Sequence, residues 1–285
     1  MIFHIVRNNL HWGYKVKENQ VLRTIIAARR RRIEEVRASV PLGSLHQAAE
    51  SRSDFRDFTG ALSGAGLSVI AELKKASPSR GLLRPAFRPP EIAVSYQQAR
   101  ASALSVLTEE EFFQGSLNHL KAVRGAVRLP ILRKDFIIDE YQVYESAAVG
   151  ADALLLIVAA LEDKNLKDFL ALSERLHVAA LVEVHTAEEL ERAIAAGAQI
   201  IGINNRNLST LEISLETSFR LREKIPPACL AVSESGIKSG EDLERLAKAG
   251  FNAVLIGEHL MLAADPGEEL SRLLSSAPTL KRTGA

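Results

Sequence analysis

The sequence has little cysteine, few aromatic residues and no long apolar run. Of its 285 residues one is cysteine, Cys229, and 5% are aromatic. A single cysteine cannot form an intrachain disulfide, which excludes a disulfide-rich secreted scaffold and is typical of a reducing compartment. No apolar run approaches the roughly 20 residues that span a bilayer, and residues 1–20 lack the apolar core of a signal peptide. We therefore expect a cytoplasmic protein without a membrane partner.

Neither sign of charge is in excess, since 36 basic and 35 acidic residues give a net charge of +1. This balance gives no reason to expect a nucleic-acid partner. The run Arg29-Arg-Arg-Arg32 could form a nucleic-acid patch or the solvated face of a helix, and the adjacent Glu34 and Glu35 favour the solvated face. The seven histidines show no metal-ligand spacing, so we expect no metal site.

The composition, 47% apolar and 25% charged, is that of a globular protein with a sizeable core. Apolar, often β-branched runs alternate with amphipathic segments, which is the pattern of β/α units. The runs that we predict to be strands are Ser68–Leu73, Ala103–Leu107, Pro130–Arg133, Ala153–Val158, Ala179–Val184, Gln199–Asn204, Cys229–Ser233 and Asn252–Ile256. Eight such units favour an α/β fold of the closed (β/α)₈ TIM-barrel type, and no Gly-x-Gly-x-x-Gly follows the first strand to support a dinucleotide-binding sheet.

Helix signals complete this division of the chain. Capping boxes are predicted at Thr186-Ala-Glu-Glu189 and Ser239-Gly-Glu-Asp242. We predict an irregular leader at 1–20, a helical extension at 21–66 with helices near 21–40, 45–50 and 54–62, and a single barrel domain at 67–285.

Polar and charged residues end six of the predicted strands, where a purely structural strand has no use for them. In TIM barrels catalysis takes place at the carboxyl ends of the strands, and acids crowded among bases tune one another's pKa values for proton transfer. Any one of these residues could simply reach water or form a structural ion pair, but the set together predicts a catalytic cluster. The candidates are Glu72, Lys74, Lys134, Glu183, Asn204, Arg206, Glu234 and Ser235, and the eighth strand, which ends in Leu-Ile-Gly-Glu258, adds Gly257.

Glycines after the last two strands, Gly236 and Gly257, stand where barrels of this type bind phosphate, although they could be ordinary turn formers. The loop Ser77-Pro78-Ser79 adds hydroxyl donors. Phe113, with its neighbour Phe112, and Phe136 either line a pocket for a flat ring or pack under the loops, and the sequence leaves both readings open.

We predict structural roles for four other reactive side chains. We expect His185 to face solvent or to cap a helix, and Cys229 to be a small core residue at the opposite end of a strand. We read Asp135 and Asp152 as structural.

Several of these segments together resemble the signature of the indole-3-glycerol-phosphate synthase family. They match in order over about residues 21 to 265, and the helical extension is matched as well. The segments are Ala71-Glu-Leu-Lys-Lys-Ala-Ser-Pro-Ser-Arg-Gly81, Ser105-Val-Leu-Thr-Glu-Glu110, Leu132-Arg-Lys-Asp-Phe136, Gly202-Ile-Asn-Asn-Arg-Asn-Leu208, Ser233-Glu-Ser-Gly236 and Leu255-Ile-Gly257.

The resemblance implies a cofactor-free lyase of tryptophan biosynthesis, which acts on a small phosphorylated substrate. Separately, we expect a monomer or at most a weak dimer. By this resemblance Lys134 is the general acid, Glu183 and Glu72 are acid/base carboxylates, and Lys74 assists the loss of water. Which lysine acts in which later step stays open. The resemblance further implies that Asn204 and Arg206 orient the substrate, that Ser235, Gly236, Gly257 and Ser77 bind its phosphate, and that Phe113 and Phe136 enclose its aromatic ring.

Two features depart from the family pattern: Glu258 follows Gly257 where some relatives carry a small hydroxyl residue, and the leader 1–20 has no counterpart. The alternatives are another phosphosugar barrel, such as a phosphoribosylanthranilate isomerase, or a catalytically inactive barrel scaffold.

Overall fold

A computed structural model describes residues 20–207 and 210–277 of the chain, and the predicted leader therefore lies almost entirely outside it. Eight parallel strands pair in chain order, and the first pairs with the last to close a barrel. The strands are β1 (Ser68–Leu73), β2 (Ala103–Leu107), β3 (Ile131–Lys134), β4 (Ala153–Ile157), β5 (Ala179–Val184), β6 (Ile200–Asn204), β7 (Leu230–Glu234) and β8 (Ala253–Ile256). The predicted (β/α)₈ barrel is confirmed, with every strand boundary within one residue of its prediction.

Helices surround the barrel and precede it. Their bounds are α1 (Gln20–Ser39), α2 (Leu42–Glu50), α3 (Phe58–Leu62), α4 (Pro89–Gln98), α5 (Leu117–Ala126), α6 (Glu140–Ala148), α7 (Asp163–Arg175), α8 (Ala187–Ala195), α9 (Glu216–Arg222), α10 (Gly240–Lys248), α11 (Glu258–Leu262) and α12 (Pro266–Ser275). A 3₁₀ turn, Val158–Ala160, follows β4, and a small hairpin, Ala76–Ser77 with Gly81–Leu82, follows β1. The predicted capping box of α10 forms between Ser239 and Asp242.

Side chains alternate between two cores along each strand, because successive residues of a strand point to opposite faces. Outward residues such as Val69 and Leu104 pack against the helices, whereas inward residues such as Ile70, Leu132 and Leu181 fill the barrel. The inward series continues towards the carboxyl end of the strands as Glu72, Lys134 and Glu183. The barrel is therefore apolar in its lower layers and ionisable at its mouth.

Helix α3 closes the amino end of the barrel. Phe58 and Leu62 are buried in the interior cluster, and the Ser68 hydroxyl at the start of β1 donates to Ala61 O at 3.0 Å. Truncating a buried phenylalanine such as Phe58 to alanine costs roughly 3–5 kcal/mol. The prediction of a helix over 54–62 was too long, because the Asp57 side chain caps the amide of Gly60 and so sets the helix start at Phe58.

The basic run of α1 is not uniformly solvated, which corrects the sequence reading. Arg29 is only 4% exposed and donates to Asp135, the residue after Lys134, at 3.0 Å. Arg32 lies on the exposed side of α1 and reaches Glu110. The adjacent acids seen in sequence account for only part of this run, because Glu35 pairs with Arg32 whereas Arg29 is neutralised by Glu110 and Asp135. The division into extension 21–66 and barrel 67–285 stays a prediction.

The remaining structural readings are refined by the contacts. Asp152, at the amino end of β4, forms ion pairs with Arg52 and Arg124. Cys229 lies just before β7, is half-buried and packs on the outer core. No helix among the described residues is long and apolar enough to cross a membrane, and these residues contain no group of three or more candidate metal ligands.

Candidate active site

Lys134 lies at the centre of the ionisable cluster in the barrel mouth. Its Nζ is 3.3 Å from Glu183 Oε2 and 3.6 Å from Glu234 Oε2, so that β3, β5 and β7 meet at one ammonium group. Burial alone would lower the pKa of Lys134, but the carboxylates of Glu183, Glu234 and Glu72 outweigh burial and raise it. The lysine is therefore a stable cation in the apoenzyme.

Glu72 and Lys74 form the second pair, on β1 and the residue that follows it. Their side chains are joined by a 2.7 Å ion pair. Burial favours the neutral acid, yet Lys74 and Lys134 together keep the pKa of Glu72 below its usual value. The spacing of two residues places both groups on one face, as predicted from the sequence.

Glu234 differs from the other two acids. Both of its oxygens are buried, and neither accepts a hydrogen bond from a described residue. Burial and the neighbouring Glu183 carboxylate raise the pKa of Glu234 to about 8, although Lys134 opposes this shift. Near neutral pH the cluster therefore contains a protonated carboxylic acid beside an ionised one, which is the arrangement that separates acid and base roles.

Glu183 is held ionised from two sides. Its Oε2 faces Lys134, and its Oε1 lies 3.3 Å from His185 Nε2. Burial would raise the pKa of Glu183, but Lys134, His185 and the Asn204 side chain lower it. The expectation that His185 faces solvent or caps a helix was wrong: its side chain is 8% exposed, and Thr186 is the N-cap of α8.

Two glycines are required by the close packing of these carboxylates. A Cβ on Gly257 would lie 2.1 Å from Glu72 Oε1, and a Cβ on Gly202 would lie 2.2 Å from Glu234 Oε1. Neither glycine has a positive φ, so that backbone conformation does not explain why glycine occupies these positions. Gly257 therefore makes room for Glu72, whatever else its backbone does.

Asn204 and Arg206 lie together at the end of β6. The Arg206 amide donates to Asn204 Oδ1 at 3.0 Å, and the Arg206 guanidinium donates to Glu258 Oε2 at 3.0 Å. Arg80, in the loop after β1, donates to the other oxygen of Glu258 at 3.1 Å. Glu258 thus neutralises two arginines on the rim of the mouth.

The turn after β7 has an unusual backbone. Ser235 and Gly236 have φ values of 68° and 86°, and a non-glycine residue in this region is strained. The buried side chain of Asn205 holds this turn, because its Nδ2 lies 3.0 Å from the carbonyl oxygens of both Glu234 and Ser235. Such strained, well-supported turns cluster at ligand sites.

The loops after β1, β2 and β3 approach one another at the mouth. Ser77 is buried and its hydroxyl lies 3.4 Å from that of Ser79, whereas Ser79 and Pro78 are exposed. Phe113 and Phe136 are half-buried, with ring centroids 6.0 Å apart. The two rings contact each other, and Phe136 also packs against the interior core, so that their enclosing a flat ring stays a prediction.

The chain is similar in sequence to several named proteins. A family model described as indole-3-glycerol phosphate synthase matches residues 22–273. A protein of that name from Polaromonas naphthalenivorans is 51% identical over 90% of this chain and 98% of its own, and one from Laribacter hongkongensis is 47% identical over 90% of this chain and all of its own. The chain belongs to the indole-3-glycerol phosphate synthase family.

Solved structures with low sequence identity share the fold alone. A 3-hexulose-6-phosphate synthase from Salmonella typhimurium superposes with a TM-score of 0.61 at 12% identity, covering 75% of this chain and 99% of its own. A mandelate oxidase bound to (S)-2-phenylpropionate superposes with a TM-score of 0.59 at 18% identity, covering 84% of both chains. The barrel is therefore common to enzymes of different names, and the synthase family is distinguished by its side chains.

Sequence reasoning missed three residues that support the site of this synthase: Gly202, Asn205 and His185. A usable signal existed for His185, because it follows Glu183 at the same spacing of two that joins Glu72 to Lys74. Gly202 begins a segment that resembles the family signature, but the sequence does not show why a glycine is needed there, since the carboxylate that requires it comes from another strand.

Proposed function

We propose that the mouth of this barrel converts 1-(2-carboxyphenylamino)-1-deoxyribulose 5-phosphate to indole-3-glycerol phosphate, with release of carbon dioxide and water. As a member of the indole-3-glycerol phosphate synthase family, the chain is an enzyme, a decarboxylating lyase of tryptophan biosynthesis. The observation that carries the proposed roles is the position of Lys134, half-buried at the mouth between the buried carboxyl groups of Glu183 and Glu234.

The first step forms the carbon–carbon bond of the new ring. The aromatic carbon that bears the carboxylate attacks the ketose carbonyl, whose oxygen becomes a hydroxyl and must receive a proton. Lys134 is the proton donor by this proposal. The neutral Glu234 beside it, with a pKa of about 8, can return a proton to Lys134. Positive charge fixed where the oxyanion develops lowers the barrier in a water-poor site.

The later steps release carbon dioxide and then water. Decarboxylation breaks the bond to the departing carboxylate and leaves its electron pair in the ring. Dehydration then needs an acid for the leaving hydroxyl and a base for the proton that is lost. By this proposal Lys74, paired with Glu72, is the acid for the leaving hydroxyl, and Glu183 is the base that removes the proton. The acid and the base lie on opposite sides of Lys134, at the ends of β1 and β5.

Binding residues surround this cluster. We assign the phosphate to Ser235, Gly236 and Gly257, with Ser77 and the adjacent Pro78 and Ser79 closing the site. The strained turn at Ser235 and its support by Asn205 favour this assignment. Asn204 and Arg206 orient the substrate near its carboxylate, and the paired rings of Phe113 and Phe136 enclose its aromatic ring.

The direct test incubates the pure protein with the carboxyphenylamino-deoxyribulose phosphate and follows indole fluorescence together with released carbon dioxide. Equal amounts of both products are expected, and a Lys134→Met variant is the matched blank. Turnover of phosphoribosylanthranilate without either product would instead identify an isomerase, and no turnover of either substrate would identify an inactive barrel.

We further propose that the enzyme is a cytoplasmic monomer. A sequence with one cysteine supports a reducing compartment. Sedimentation of the purified protein at a mass near 31.1 kDa would agree with a monomer, and twice that mass would contradict it.

A further inference from the structure

The imidazole of His185 lies between two carboxylates. Its Nδ1 is 3.1 Å from Glu189 Oε2, and its Nε2 is 3.3 Å from Glu183 Oε1. The side chain is 8% exposed, and the Nε2 contact is close without being a well-aligned hydrogen bond. The ring therefore connects an acid on the outer helix α8 to an acid at the reacting end of β5.

We propose that His185 is a positioning residue which, as an imidazolium, keeps Glu183 ionised and turns one oxygen of its carboxylate towards Lys134. This inference rests on the proposed function, because it assigns His185 a part in the same reaction.

The two oxygens of Glu183 have separate partners. Oε2 faces Lys134 and Oε1 faces His185, so that neither oxygen can rotate away without losing a charged neighbour. A carboxylate fixed from both sides is held in one orientation for the substrate. This preorganisation is what a general base requires, since the proton to be removed must lie within hydrogen-bond reach.

The charges that face His185 favour its protonated form. Glu183 on β5 and Glu189 on α8 touch it, Glu234 on β7 lies beyond Glu183, and Lys134 on β3 is the opposing cation. Burial would lower the pKa of His185, but the close contacts and negative charges of Glu183 and Glu189 raise it to about 10. An ordinary histidine titrates near 6.5, within the physiological range.

The helix α8 cap shows that Glu189 is directed towards this ring. In α10 the acid at the third helical position, Asp242, accepts from the amides of Ser239 and Lys238. In α8 the acid at the same position, Glu189, accepts from the amide of His185 at 2.7 Å and lies against its ring. The Thr186 half of the capping box of α8 is therefore present, whereas the side chain of Glu189 contacts His185.

Loss of the imidazolium has a predictable consequence. Lys134 would then be the principal cation beside Glu183, and Glu183, the carboxylate that is still ionised, would take up a proton at a higher pH. The acidic limb of the kcat profile, which reports ionisation of the base, would move upward. A merely structural histidine would change stability and leave that limb in place.

The experiment compares His185→Gln and Glu189→Gln with a histidine control, His177→Asn, at the opposite end of the barrel. We expect His185→Gln to lower kcat by about 10- to 100-fold, to change KM by less than about threefold and to move the acidic limb up by about one pH unit. Glu189→Gln should show a smaller shift in the same direction, and His177→Asn none. An unchanged limb in His185→Gln, measured on protein with a normal circular dichroism spectrum, would overturn the proposal.

A second readout does not depend on turnover. NMR of ¹⁵N-histidine-labelled protein, with His185→Gln for assignment, should show one imidazole that remains protonated at pH 8. Its midpoint should fall in Glu183→Gln and in Glu189→Gln. A neutral His185 at pH 7 would overturn the inference. If the wild type turns over no substrate, the proposed function fails by itself, and the same titration still decides whether His185 is the cation that holds Glu183.

Discussion

Lys134 and the buried Glu183, at the carboxyl ends of β3 and β5, form a partly buried ion pair whose nearest atoms are 3.3 Å apart. The lysine is shared with Glu234 at 3.6 Å, so that a single ammonium group compensates two carboxyl groups. Removing one partner of a buried pair leaves the other charge uncompensated, which costs far more than losing an exposed pair. The ion pair is thus both the electrostatic centre of the site and its most sensitive point.

We expect Lys134→Met and Glu183→Gln each to abolish turnover, with kcat lowered by about 10³-fold or more. Substrate should still bind, because the residues assigned to its phosphate and aromatic ring are unchanged. Steady-state rates together with calorimetric titration of the substrate check both statements. Lys167→Met, which removes an exposed lysine on α7, is the control. Near wild-type rates in either active-site variant would refute the roles.

The pH dependence of stability should report the protonated Glu234. A carboxyl group whose folded pKa is raised stabilises the protein fully below its unfolded value, near 4.5, and this contribution is lost as pH rises through the folded pKa of about 8. Glu234→Gln cannot ionise. Its urea midpoint should therefore fall less steeply than that of the wild type between pH 5 and pH 8.

The matched control for this experiment is Glu34→Gln, on the exposed face of α1. It should follow the wild-type curve. Parallel curves for Glu234→Gln and the wild type would show that Glu234 ionises near its ordinary pKa, against the physical argument from burial.

The carboxylate of Glu72 leaves no room for a side chain at position 257. We expect Gly257→Ala to displace Glu72 from Lys74, because the added Cβ would lie 2.1 Å from Oε1 and 3.1 Å from the Glu72 Cβ. A fall in kcat of about 10- to 100-fold follows if Glu72 acts in proton transfer. Gly43→Ala, on α2 where nothing lies within 4 Å, should leave both kcat and stability essentially unchanged. Equal activity of the two variants would show that Glu72 tolerates displacement.

Strand periodicity accounts for most of what could be predicted. Apolar runs bounded by turn residues located all eight strands, and the spacing of two explains why Glu72 and Lys74 share a face. The rule that barrel chemistry occurs at the carboxyl ends then selected Lys134, Glu183 and Glu234 from a chain with many similar residues. Local pattern and fold geometry are enough to predict where these side chains lie, because the backbone of a strand fixes the direction of each side chain.

Contacts between distant segments explain what could not be predicted. Arg29 appeared to be one of four solvated arginines, yet it is buried by Asp135 from the loop after β3. Gly202 is required by Glu234 on the neighbouring strand. In both cases the deciding partner is absent from the local sequence pattern. His185 differs, because its partners Glu183 and Glu189 are close to it in the sequence.

Removal of divalent cations should leave turnover unchanged. The ammonium groups of Lys74 and Lys134 already provide fixed positive charge at 2.7–3.6 Å from the acids of the site. Activity before and after dialysis against EDTA is the measurement. A loss that is recovered by adding back magnesium or zinc would contradict the proposed roles of the lysines.

Glu258 provides a test of how the rim recognises an anionic substrate. Its two oxygens bind Arg206 and Arg80 at 3.0 and 3.1 Å, so that both arginines are neutralised before the substrate arrives. Glu258→Gln removes this negative charge while keeping the size of the side chain. We therefore expect a KM lower by about two- to fivefold at low ionic strength, with kcat little changed and the difference reduced by salt. Arg206→Gln should raise KM, since it removes the cation itself. A higher KM in Glu258→Gln would mean that Glu258 instead holds Arg206 in the orientation that binds the substrate, and the salt dependence of the two variants would then coincide.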